Sequence, residues 1–285
     1  MSKKVKPCII GTKEIAYEIV CFGFRRTLLN RNHQSDHRIN EGIEKIFEAG
    51  HIFTVCTGRN LSLTRSAGLV DTFLIGMNGA CILDKAGHII SSHPMDKETI
   101  RLLLFETPYK FEYQTFDEIY TTGDEETFTK IYMQNQRMRN REVQKNMEKN
   151  LRKYHFQCDP FDILSKDIYK VNLHCTHEDM YQEIEELSKH YADKIVNAPS
   201  VTSLAEITGF GVTKGNAVKE LADFLHIRDE DVYVYGDGLN DLSMLKRFEH
   251  SYCPSTGTVQ AKKAASYQIG PYDEYSVISH MLENL

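Results

Sequence analysis

The stretch Val234-Tyr-Gly-Asp-Gly-Leu-Asn-Asp241 decides how the rest of the chain is read. Four β-favouring residues, 232–235, run into Gly-Asp-Gly, and Leu239, Leu242 and Leu245 follow with amphipathic spacing. That order predicts a strand, a tight loop and a helix. Asp237 and Asp241 then converge at the carboxyl end of a strand. Two carboxylates and the amide of Asn240 in a glycine-loosened loop suit a hard cation such as Mg2+, which prefers oxygen ligands. An ordinary acidic loop with a helix N-cap would carry the same residues, so the flanking pattern has to choose.

On either side of this stretch the pattern is one of alternating strands and helices. Before it, Thr213 caps a helix bearing Val218, Leu221 and Leu225; after it come a strand around 251–253 and a final helix through Val277, Ile278 and Leu282. The first part of the chain repeats the alternation. Residues 15–24 read as a strand, and from Asp36 a helix places Ile39, Ile43, Ile46 and Phe47 on one side until Gly50 closes it. A strand at 51–56 leads to Thr57-Gly-Arg-Asn60, a short helix to about residue 68, a strand at 72–76, and Asn78-Gly-Ala80. Such alternation predicts a doubly wound α/β fold, a parallel sheet with ligands at the carboxyl ends of its strands.

Between these parts the texture changes. Lys85-Ala-Gly87 is a turn between two short strands, and Asp96 caps a helix carrying Ile100, Leu103 and Leu104. Tyr109, Phe111 and Tyr113 alternate with polar residues, which predicts a half-exposed antiparallel strand. A basic helix is expected at 137–153, a strand at 168–175, and a helix with Met180, Ile184, Leu187 and Tyr191 in register. The expectation is therefore a discontinuous core of residues 1–84 and 208–285, with an inserted α+β domain at 85–207.

Composition narrows the function classes. With 285 residues and 41% hydrophobic content the chain can bury a sizeable core, and its formal net charge of −6 gives no reason to expect nucleic acid or an anionic membrane as partner. The arginines and lysines of 137–153 lack interleaved aromatics and read as a solvated helix face. Seven scattered cysteines without a C-x-x-C fit reduced core thiols, and no apolar run approaches a membrane span. The basic start lacks the apolar segment of a secretory signal, so a cytoplasmic protein acting on small molecules is expected.

Thr57-Gly58-Arg59, Asn78-Gly-Ala80, Lys214 in Val212-Thr-Lys-Gly215, and the Gly236–Asp241 loop all fall at strand ends or helix starts of the expected core. Together they supply a hydroxyl, a cation and a pair of carboxylates, the equipment of phosphoryl transfer. In this order and spacing the chain resembles the haloacid dehalogenase superfamily, specifically the Cof-type (subclass IIB) sugar-phosphate phosphatases. The resemblance implies a Rossmann-like core with a mobile α+β cap, and Mg2+-dependent hydrolysis of phosphate esters through an aspartyl-phosphate. It implies that Thr57 and Gly58, with Lys214 and Asn240, bind the phosphoryl group, that Lys214 also steadies the nucleophile, and that Asp237 and Asp241 hold magnesium. The ligand it implies is a small phosphorylated metabolite.

The chain departs from the family in its first motif. Where the family has Asp-x-Asp-Gly-Thr-Leu-Leu, this sequence has Gly23-Phe-Arg-Arg-Thr-Leu-Leu29, so the nucleophile position is Gly23 and the acid/base position is Arg25. Glycine has no group to attack phosphorus, and a guanidinium does not exchange protons near neutral pH. Magnesium loses a ligand too, and Arg25 or Arg26 is expected to occupy or adjoin its place beside Asp237 and Asp241. Cys21, one strand repeat deeper, reads as a buried structural thiol. The expectation is thus a phosphatase-family protein with catalysis lost or much reduced. Two alternatives stand beside it: an unorthodox Mg2+-dependent hydrolase, and a pseudoenzyme that binds a phosphorylated ligand or a partner protein.

Overall fold

The computed structural model describes residues 19–23, 27–28, 35–61, 72–134, 151–201 and 203–284. The first part of the chain forms β1 (Ile19–Gly23), α1 (His37–Glu48), β2 (Ile52–Cys56), β3 (Phe73–Gly76), β4 (Cys81–Leu83) and β5 (Ile89–Ser92). The middle forms α2 (Lys97–Phe105), β6 (Glu112–Gln114), β7 (Ile119–Tyr120), α3 (Glu125–Gln134), β8 (Tyr154–His155), α4 (Pro160–Ser165), β9 (Lys170–His174), α5 (Glu178–His190), β10 (Ile195–Asn197) and β11 (Leu204–Gly209). The last part forms α6 (Lys214–Phe224), β12 (Val232–Tyr235), α7 (Leu242–Arg247), β13 (His250–Pro254), α8 (Val259–Ala264), β14 (Tyr267–Ile269) and α9 (Ser276–Asn284).

One sheet runs β14-β13-β12-β1-β2-β3-β4-β5, with its first six strands parallel and β4 and β5 returning antiparallel. Helices cover both faces, as a parallel sheet requires. On one face Val218, Leu221, Met244 and Leu245 of α6 and α7 pack against Cys21, Val232 and Val234. On the other, Ile39, Ile43 and Ile46 of α1 meet Val277, Ile278 and Met281 of α9 over Phe53, Val55 and Tyr235. The helix starts follow their caps: Asp36 accepts from the Ile39 amide at 3.2 Å, and Asp96 from the Thr99 amide at 2.8 Å. This is the Rossmann-like core expected from the alternation.

The second sheet runs β10-β11-β9-β6-β7-β8 and is antiparallel apart from β7 beside β8. Its apolar face carries Phe111, Tyr113, Val171, Leu173, Ala205 and Ile207 under helices that contribute Ile100, Leu103 and Ile184. We call it the cap sheet.

Three expectations change in detail. A division after residue 84 cuts the β4–β5 hairpin, both of whose strands belong to the first sheet, and one at 207 cuts β11. Residues 112–114 are not half exposed, because Glu112 and Gln114 are as buried as Tyr113. Leu282 stands exposed while Met281 faces the core, a one-residue difference in the phase of α9. The basic run 137–153 and the short helix before residue 68 fall largely outside the described residues. No helix among the described residues is long and apolar enough to cross a membrane.

Gly215, in the first turn of α6, lets that helix approach α7 closely: a Cβ there would lie 2.5 Å from the Ser243 carbonyl oxygen. Alanine favours a helix over glycine by about 1 kcal/mol, but the clash is with backbone that has little freedom to yield. Gly215→Ala is expected to lower the unfolding free energy by about 1–3 kcal/mol in a urea titration; an increase would show that the helices separate without cost.

Candidate functional site

β1 lies between β12 and β2, with Phe22 opposite Tyr235 and Gly23 opposite Cys56. The three parallel strands therefore end on the same side, with Gly23 the last residue of β1 and Thr57 and Asp237 just beyond the ends of β2 and β12. Arg25 and Arg26 lie outside the described residues, as does the expectation that one of them adjoins the metal position. Beyond them Thr27, 1% exposed, donates its hydroxyl to Asp237 Oδ1 at 2.7 Å. Leu28 packs into the core beside Ile39 and Tyr235.

Lys214 is the first residue of α6, where the Thr213 hydroxyl caps the helix by accepting from the Asn216 amide at 3.2 Å. Its ammonium is buried and donates to Asp241 Oδ1 at 2.6 Å. Burial alone would push the Lys214 pKa down, but the carboxylate of Asp241, reinforced by Cys56 and Asp237, raises it above the ordinary lysine value. The other oxygen of Asp241 accepts from the backbone amides of Asp237 and Gly238, each at 2.9 Å. That carboxylate folds the Gly236–Asp241 loop around itself.

Thr57, also buried, accepts at its hydroxyl from the Arg59 amide at 3.2 Å. Asn240 donates from Nδ2 to Asn78 Oδ1 at 3.1 Å. Gly58 sits where a Cβ would meet Asn78 Oδ1 at 2.7 Å and Glu206 Oε1 at 3.0 Å, so no larger residue fits without displacing them. The structure thus gathers Thr57, Gly58, Lys214, Asp237, Asn240 and Asp241 at the strand ends.

The described residues supply only part of a magnesium site, the carboxylates of Asp237 and Asp241, and no first-motif carboxylate completes it. Asp241 is committed at both oxygens to the Lys214 ammonium and two amides, and Asp237 Oδ1 already takes the Thr27 hydroxyl. Among the described residues no group of three or more His, Cys, Asp or Glu side chains is placed to hold a metal. Nor does Cys21 replace the missing nucleophile. Burial, with Cys56 beside it, pushes its thiol pKa well above the usual value, which keeps it protonated.

Sequence reasoning missed the cap's share of the site. Lys170 on β9 is 2% exposed; its ammonium donates to the Gly58 carbonyl and to Glu206 Oε1 on β11, the latter at 2.8 Å. Glu206 Oε2 accepts in turn from the Ser200 amide at 2.5 Å. Asn78, held in the left-handed region at φ 58°, reaches the cap as well, donating to the Ala198 carbonyl at 3.2 Å. Lys170, Asn172 and His174 alternate with Val171 and Leu173, a pattern that announces a polar face. Alternation says nothing about whether that face meets water or another part of the protein; here Lys170 meets Gly58 of the core, and His174 meets Glu112 of the neighbouring cap strand.

A family profile for haloacid dehalogenase-like hydrolases matches residues 26–282. Among curated proteins, the chain is 25% identical over 266 residues to the Bacillus subtilis (strain 168) 5-amino-6-(5-phospho-D-ribitylamino)uracil phosphatase YwtE, covering 88% of this chain and 92% of that one. It is 24% identical to the HMP-PP phosphatase of Yersinia enterocolitica, covering 81% of each. Among solved structures, a haloacid dehalogenase-like hydrolase from B. subtilis superposes with a TM-score of 0.79 at 22% identity, covering 94% of this chain and 99% of that one. A subclass IIB sugar phosphatase does so at 0.72 and 19%, covering 93% and 98%. At these identities the superpositions show a shared fold.

Lys170→Met leaves Glu206 as a buried carboxylate without its cation, and is expected to cost about 3–5 kcal/mol in chemical denaturation. Lys170→Met combined with Glu206→Leu should recover a large part of that loss. Equal losses in the single and double variants would show that the pair does not act as a unit.

Proposed function

Because the chain belongs to the haloacid dehalogenase-like hydrolase family, we propose that it retains the family's site for a small phosphorylated molecule while having lost, or nearly lost, the aspartyl-phosphate chemistry. The observation that carries this reading is Gly23 at the end of β1, in register beside Cys56 and next to the Thr57 and Asp237 strand ends. That strand end offers no side chain to attack phosphorus. Thr57 and the backbone at Gly58 supply neutral donors to the phosphoryl oxygens, and Lys214 supplies the cation. Arg25 and Arg26, in place of an acid/base and a glycine, add positive charge next to Gly23 in the sequence.

The ligand class rests on the family and on relatives whose names specify phosphorylated small organic molecules, YwtE foremost. A second reading has its own support. Asp237, Asp241 and Lys214 keep the arrangement of a phosphoryl-transfer site, which favours slow hydrolysis by a water molecule held at Asp237. The binding reading requires no such water and takes the carboxylates as the partners that hold Lys214 and Thr27 in place.

Phosphate release with Mg2+ across a panel of sugar phosphates, beside an Asp237→Ala control, separates the two. The expected result is no release above the control. Activity that vanishes in Asp237→Ala would overturn the proposal in favour of the hydrolase. Restoring both carboxylates with Gly23→Asp and Arg25→Asp should raise Mg2+-dependent release on the order of 10²-fold or more above the parent chain.

A further inference from the structure

The chain passes between the two sheets twice, at residues 93–96 after β5 and at 210–213 after β11. The two linkers run side by side: a Cβ on Gly209 would lie 3.8 Å from both Met95 Cα and Val212 Cγ2. Against the start of α6 they enclose a cleft of about 250 Å³, whose lining includes His93, Phe210, Val212, Asn216, Ala217 and Glu220. None of the residues gathered at the strand ends belongs to that lining.

Local bonding fixes the walls. Asn216 donates from Nδ2 to the Gly211 carbonyl at 2.7 Å and accepts from Arg247 Nη1 at 3.1 Å, which ties the second linker to α6. The Thr208 hydroxyl donates to the Val212 carbonyl at 2.8 Å. On the first linker the His93 amide donates to the Ala80 carbonyl at 2.9 Å, and the Met95 amide to the Ile168 carbonyl at 2.7 Å. A cleft whose walls are already held has little ordering left to lose when a ligand enters.

The chemistry of the lining selects a cation. Glu220 is its carboxylate, and no lysine or arginine lines the cleft. Glu220 Oε2 lies 2.8 Å from His93 Nε2, while Oε1 has no hydrogen-bond or ion-pair partner among the described residues. The two side chains are 43% and 39% exposed, so a ligand can reach them from solvent. An anion finds no donors at the start of α6, because the Gly215 amide donates to Ser243 Oγ, the Asn216 amide to the Thr213 hydroxyl and the Ala217 amide to the Thr213 carbonyl. Val212, Ala217 and the ring of Phe210, 68% exposed, supply an apolar wall. A carboxylate with a free oxygen beside such a wall suits an ammonium group on an apolar body. A cavity of roughly 150 Å³ admits benzene, so one of about 250 Å³ takes about ten non-hydrogen atoms.

We propose that this hinge cleft is a binding site for a small organic ammonium ion of about that size, with its charge on Glu220 and its apolar body against Phe210 and Val212. The inference is independent of the phosphate-binding reading. A ligand seated there touches both linkers and the helix that begins with Lys214.

Calorimetric titration of the full chain with phenethylamine, phenylethanol and phenylacetate tests this, since the three share a shape and differ in charge. Phenethylamine should bind about tenfold or more tightly than phenylethanol, and phenylacetate more weakly than either. In Glu220→Gln, which keeps the shape of the side chain, the gap between amine and alcohol should close to about threefold or less. Phe210→Ala should weaken the amine and the alcohol alike, by about threefold or more. No binding of the amine, equal binding of amine and alcohol, preference for phenylacetate, a gap that survives in Glu220→Gln, or an amine affinity unchanged in Phe210→Ala would each overturn the inference. Should Glu220→Gln melt far below the parent chain, Phe210→Ala decides alone, because the exposed ring contributes little to folding.

Discussion

An ammonium inside a protein needs a carboxylate within reach, and the pairing of Lys214 with Asp241 meets that need at the strand ends of the core sheet. Much of the site hangs on it. Asp241 uses its second oxygen to gather the amides of Asp237 and Gly238, and so gives the loop after β12 its shape. The loop presents Asn240 to Asn78, and Asn78 connects in turn to the Ala198 carbonyl on the cap side. The first turn of α6, which carries Lys214, is brought close to α7 through Gly215.

The same constraint is met a second time across the junction with the cap. Lys170 and Glu206 neutralise each other while the lysine also holds the Gly58 carbonyl, so the loop that follows β2 is shaped by residues from both sheets. Two buried ion pairs therefore bracket the Thr57–Gly58 segment, one rooted in the core and one in the cap. Buried pairs add little net stability compared with apolar packing, but breaking one is expensive. Between the two pairs the Thr57 amide donates to the Ile75 carbonyl at 2.8 Å and the Thr57 hydroxyl accepts from the Arg59 amide.

How much of this was legible in the sequence depended on distance along the chain. Local rules worked well. Asp36, Asp96 and Thr213 each cap the helix expected of them, and the strand, loop and helix around Asp237 and Asp241 form as the glycines and leucines predict. The gathering of Thr57, Lys214 and the Asp237 loop was legible through motif order and spacing. Long-range facts were not. Lys170 and Glu112 have the alternation of a solvated strand face, yet Lys170 is buried against Gly58 of the core and Glu112 against Tyr154 and His174 of the cap itself. The division points slipped for a related reason: the β4–β5 hairpin has the short-strand texture of the insert yet completes the edge of the core sheet.

With no side chain at the end of β1 to accept a phosphoryl moiety, the chain is expected to form no covalent phosphoryl intermediate. Intact-mass measurement of the full chain, quenched in acid after mixing with Mg2+ and a series of acyl and sugar phosphates, tests it most directly. A mass unchanged by any donor is expected. A covalent phosphoryl adduct mapped by peptide sequencing to Asp237, Asp241 or another side chain of the site would contradict it, and would mean that the family's chemistry has moved to a new residue.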